Sequence, residues 1–168
     1  MLPHHEDYEL CPKNGHVEAR KILKEDFFWD CTDSEGPLGN DNGADIFCFY
    51  GKALESNSFI DAKSFLNGIL HEWEFEFSEW EAGREEGAAL YDADTYAFEA
   101  ANDGAIALAF SMIVVNGEAS TDSIDLASHA IQRELNPDVL ARRWRFAESR
   151  KKKLEVMLNV LDNIRKNL

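Results

Sequence analysis

Cysteine and positive charge are scarce in this chain, and it contains no long apolar run. Its three cysteines, Cys11, Cys31 and Cys48, form an odd set without C-x-x-C spacing, which speaks against a disulfide framework and against a thiolate zinc site. Only 17 lysines and arginines stand against 32 aspartates and glutamates, for a net charge of −15. Plain repulsion then disfavours nucleic acid as a whole-surface partner, and a basic protein or a metal ion is what such a charge invites. The longest apolar stretch, residues 105 to 115, is interrupted by Ser111 and ends at Asn116. It falls short of the roughly 20 residues that a membrane span needs and reads as a buried core element. The start, MLPHHEDYEL, is acidic and lacks the charged-then-apolar order of a signal peptide, so a cytoplasmic location is expected. No internal repeat and no convincing set of alternating strands is visible.

What is present is helical periodicity. With 168 residues and an apolar fraction of 45%, the chain fits one domain with one good core. Residues 1 to 15 carry Pro3, Pro12, Asn14, Gly15 and the pair His4-His5, and are expected as a loosely ordered lead-in to a helical domain over 16 to 168. Val17, Ile22, Leu23 and Phe27 share a helical face, and Ile46 to Leu54 resumes the pattern. Ser58 with Asp61 forms a capping-box pattern ahead of Phe59, Ala62, Leu66, Ile69 and Trp73. Near 74 to 77, Glu and Phe alternate with the two-residue period of an extended chain, while Trp73, Phe77 and Trp80 would continue the helical face, and 81 to 96 reads as a polar connector. Asp94 or Thr95 could start a short helix, but Asn102-Asp103-Gly104 is the stronger cap, expected for the central helix at about 105 to 115, which is apolar nearly all round. Gly117 supplies its exit, Ser120 or Thr121 caps a helix through Leu135, and Asn136-Pro137 opens the next. A last helix after about Ala147 presents Leu154, Met157, Leu158, Leu161 and Ile164. The fold expected is therefore an all-α, single-domain bundle of five to seven helices around the 105 to 115 segment, with a basic C-terminal region over about 137 to 168.

Charge is split along the chain. Residues 133 to 168 hold ten lysines and arginines and five acids, whereas residues 1 to 132 hold seven and 27. Arg142, Arg143, Trp144, Arg145, Lys151, Lys152 and Lys153 could grip nucleic acid or an acidic partner; the plainer reading packs this segment across the acidic body, with arginines over the tryptophan. A final helix crossing to a neighbouring copy would favour a homodimer.

Two carboxylate constellations could bind a divalent cation. Asp30, Asp33, Asp41 and Asp45 lie in WDCTDSEGPLGNDNGADIF, residues 29 to 47, yet no register places glycine sixth and glutamate twelfth as a calcium loop requires. Turn chemistry fits better: Gly36-Pro37 and Gly39-Asn40 are turn pairs, and Asp41 or Asn42 is placed to cap a helix near Ala44. The second constellation pairs Glu76 and Glu79 with Glu99 and Asp103, as in all-α nucleotide pyrophosphohydrolases, although Asn102 occupies the position that spacing of three demands. His71-Glu72 begins a zincin motif that Phe75 breaks, and no phosphate-loop lysine follows the glycines. His16 and His129 read as surface or packing residues.

The block DFFWDCTDSEGPLGNDNGADIF, with DGAIALAF and NGE further on, resembles the YfeS-like group of uncharacterised bacterial proteins over roughly residues 16 to 132. Leu38 departs from that group's phenylalanine, and the WGR module of some relatives is missing. The resemblance implies no activity; it marks Trp29, Asp30, Gly39, Asn40, Asp41, Gly43 and Asp45 as a signature. The expectation is a non-catalytic protein-interaction module without a cofactor, taking a basic protein partner and no membrane. The alternatives are a divalent-metal nucleotide hydrolase and a nucleic-acid-associated protein using the basic C-terminal helix.

Overall fold

The computed structural model describes residues 8 to 57 and 59 to 168. Within them lie eight α-helices: α1 (Val17–Ile22), α2 (Asp41–Ser56), α3 (Ala62–Glu72), α4 (Gly87–Ala93), α5 (Thr95–Asn116), α6 (Thr121–Glu134), α7 (Pro137–Arg143) and α8 (Ala147–Lys166). A 3-10 turn, Asp26–Trp29, joins α1 to the glycine-rich stretch, and no strand occurs among the described residues. The all-helical expectation holds. One helix more than the upper expectation is found, because α4 occupies the stretch read as a polar connector. Its Tyr91 packs with Phe98 and Val139 in a small apolar cluster of its own.

The central helix is longer than its apolar run. Asp94, not Asn102, caps it, accepting a hydrogen bond from the Ala97 N–H at 3.0 Å. Asn102, Asp103 and Gly104 lie buried in mid-helix. Local chemistry favours a cap there, but both side chains find partners from other helices, so the helix continues through them. Alanine and glycine dominate its N-terminal half, which lets α1, α2, α3, α4 and α6 pack around it. Among the described residues α5 is the one helix long and apolar enough to cross a membrane, and 89% of its apolar window is buried inside the bundle.

The remaining ends follow side-chain capping. Asn40 caps α2 through the Gly43 N–H at 2.8 Å, which corrects the expected Asp41 or Asn42. Asp61 caps α3 through the Ser64 N–H, while Ser58 of the expected capping box lies outside the described residues, as does His4-His5. Ser120 and Asn136-Pro137 serve α6 and α7 as anticipated. Gly117 ends α5 with φ 79°, a left-handed conformation that suits glycine. Of the lead-in, Tyr8 packs edge-on against Phe47 and donates to the Asn14 carbonyl at 3.1 Å. After α3 the chain turns at Glu74, whose φ of 63° is unusual for a residue other than glycine. It then runs without helix, turn or bend from 75 to 79.

Because Asp94 satisfies an N–H at the start of the central helix, Asp94→Ala is expected to destabilise the protein by about 1 kcal/mol in urea unfolding. An unchanged midpoint would return the start of the helix to Asn102.

Candidate functional site

The aspartate-rich stretch is built as a turn. Asp30 accepts from both the N–H and the hydroxyl of Thr32, at 2.8 and 2.6 Å, and these bonds hold its carboxyl below the usual range. Asp33 accepts from the Glu35 N–H at 3.0 Å. Gly39 is wedged so tightly that a Cβ would lie 2.1 Å from the Asp33 carbonyl oxygen, and one on Gly43 would lie 2.5 Å from that of Pro37. Trp29 is buried and donates its indole N–H to the Leu23 carbonyl at 3.0 Å. Asp41 and Asp45 point to solvent from the first turns of α2. Among the described residues no group of three or more histidines, cysteines or carboxylates is gathered closely enough to hold a metal ion.

The second carboxylate set is also dispersed. Glu76 and Glu79 are exposed on the non-helical stretch after α3, so their spacing of three does not place them on one helical face. Glu99 and Asp103 lie on α5, and Arg143 engages both, at 3.6 and 2.7 Å.

The basic segment is where the chemistry concentrates. Arg143 Nη2 donates to both oxygens of Asp103 at 2.7 Å, and Asn42 Nδ2 donates to the same carboxylate at 3.1 Å. Glu134, wholly buried near the end of α6, receives Arg150 in a two-pronged pair: Nε to Oε1 and Nη2 to Oε2, each at 2.9 Å. Trp144 Nε1 adds a bond at 2.7 Å, Arg143 Nη1 stands 3.4 Å from the same carboxylate, and both guanidiniums lie within 5 Å of the Trp144 ring centre. Arg150 also donates to the Glu35 carbonyl, while Ser149 and Lys153 donate to the Glu35 carboxylate at 2.8 and 3.1 Å. Lys153 bridges onward to Asp33 at 2.8 Å. The aspartate-rich turn is thereby clasped to α8. Arg142 pairs with Asp92 at the surface, whereas Arg145, Lys151 and Lys152 are exposed, Arg145 lying over the ring of Phe146.

Glu134, Arg150, Glu35 and Ser149 were not legible as a group in the sequence, because pairs spaced 16 and 115 residues apart leave no local pattern. A second buried guanidinium, Arg133, was missed as well. It donates through Nε to Asn102 Oδ1 at 2.9 Å and through Nη1 to the carbonyls of Glu79, Trp80 and Ala82. With no carboxylate beside it, burial pulls its pKa down to about 10. Burial alone would push the Glu134 carboxyl up, but the charges of Arg150 and Arg143 and the bonds from Arg150 and Trp144 outweigh it and hold the group down at about 2. A carboxylate so enclosed and saturated is unsuited to accept a substrate proton or to bind a metal ion.

The chain matches no protein-family model, no curated protein and no solved structure.

Glu134 has a folded pKa below its unfolded value near 4.5, so its contribution is fully present above that pH and is lost as pH falls toward 2. Urea unfolding across this window is expected to show a steeper loss for the native protein than for Glu134→Gln. Parallel profiles would show that the carboxylate is not held by its arginines.

Proposed function

We propose that the protein is an acidic, non-catalytic interaction module, related to YfeS-like proteins through its Trp29 to Asp45 block, that takes a basic protein partner on its acidic body. The carrying observation is an acidic groove between α3 and α6, of about 650 Å³, lined by Asp61, Glu81, Asp122 and Asp125, with Lys63 as the one lysine or arginine in its lining. Asp125 pairs with Arg165, whereas Asp122 and Glu81 are exposed and make no ion pair among the described residues. The charge split supports the same reading. Much of the basic segment is engaged in holding the body together, through Arg143, Arg150 and Lys153, so the negative excess remains on the surface.

An oligolysine peptide carrying a fluorophore is expected to bind at low ionic strength and to weaken with salt. Glu81→Lys with Asp122→Lys should weaken it by about tenfold, since each exposed pair contributes up to about 1 kcal/mol. Absence of oligolysine binding, or binding indifferent to these reversals, would contradict the proposal.

A further inference from the structure

Between α3 and α4, residues 75 to 79 form a non-helical stretch whose middle is unpaired along its backbone. Burial alternates from 75 to 78: Phe75 and Phe77 are half-buried against the core, and Glu76 and Ser78 are exposed. That two-residue period is the side-chain pattern of an extended chain.

Both ends are anchored. The Phe75 N–H donates to the Leu70 carbonyl at 2.8 Å, and Arg133 gathers the carbonyls of Glu79, Trp80 and Ala82. Phe77 is fixed between the Trp80 ring at 5.0 Å and the Arg133 guanidinium at 5.1 Å. Between these anchors the N–H and C=O groups of Glu76, Phe77 and Ser78 make no hydrogen bond among the described residues. A cleft of about 470 Å³ runs alongside, lined by Leu70, His71, Phe75, Glu76, Phe77 and Ser78, together with Asn67, which also lines the acidic groove. Unpaired backbone anchored at both ends beside a cleft is a template for an extended chain. Because the edge is already ordered, little conformational entropy opposes binding on this side.

Charge selects the occupant. Glu76 within the stretch and Glu74 at the turn that precedes it stand exposed without an ion-pair partner among the described residues, and opposite charges on facing strands attract. We propose that an extended segment of a partner protein, bearing lysine or arginine at alternate positions, adds to residues 75 to 79 as a second strand. This rests on the module reading above, and names the conformation in which the basic partner binds and the backbone that receives it.

The test uses a peptide alternating lysine and valine, the same peptide methylated on alternate backbone nitrogens, and amide exchange of the whole protein followed by NMR. The unmodified peptide is expected to slow exchange at Glu76 and Ser78, whose N–H groups share one side of an extended backbone, by about tenfold or more, and methylation should weaken binding by about tenfold, as loss of backbone hydrogen bonds requires. Glu74→Lys with Glu76→Lys, both exposed, should weaken binding similarly while leaving the thermal midpoint unchanged. If oligolysine binds but methylation has no effect and these amides stay unprotected, the strand-edge inference fails and the acidic module stands. If no basic peptide binds, both fail.

Discussion

Glu134 is the point on which five helices and one turn depend. Its carboxylate, wholly enclosed, ties α6 to α8 through Arg150, and through Arg143 and Trp144 to the end of α7. Arg143 then holds Asp103 in the middle of α5, and Asn42 reaches the same carboxylate from α2. From Arg150 the chain of contacts continues to Glu35 and fixes the aspartate-rich turn. Two carboxylates and two guanidiniums are thus buried together. Each would be costly alone, and together they require the bidentate geometry that the structure provides.

The same network explains why so lopsided a chain forms one body. Read linearly, the C-terminal segment carries a surplus of positive charge that resembles a nucleic-acid arm. In the fold, Arg143 and Arg150 are turned inward and Lys153 clamps the turn, so much of that surplus becomes internal cement. Around the α3–α6 groove and along the chain that follows α3 the surface is acidic, while Arg145, Lys151 and Lys152 stay exposed on the basic segment. Arg133 extends the theme without a counter-ion. Its Nη1 donates to three backbone carbonyls, which tie the stretch between α3 and α4 to α6.

Much of this architecture was legible locally. The apolar run of α5, the Gly117 exit, the Asn136-Pro137 junction and the face of α8 each rest on signals within one or two turns of helix. Where local and distant chemistry disagreed, the distant partner prevailed. Asn102 and Asp103 have the composition of a cap, yet hydrogen bonds from Arg133 and Arg143 engage them inside the helix. Glu76 and Glu79 have helical spacing, but the left-handed turn at Glu74 ends that helix first. Turn chemistry in the aspartate-rich stretch was readable because Asp30 and Asn40 act on N–H groups two and three residues away. Its clasp by α8 was not, since nothing near Glu35 in the chain signals Arg150.

A double-mutant cycle between Glu134→Gln and Arg150→Met, followed by urea unfolding at neutral pH, bears most directly on the claim that this buried pair organises the fold. The two substitutions are expected to be strongly non-additive, with a coupling of about 2 to 3 kcal/mol, because either alone strands a buried charge. Additive effects, agreeing within about 0.5 kcal/mol, would contradict it.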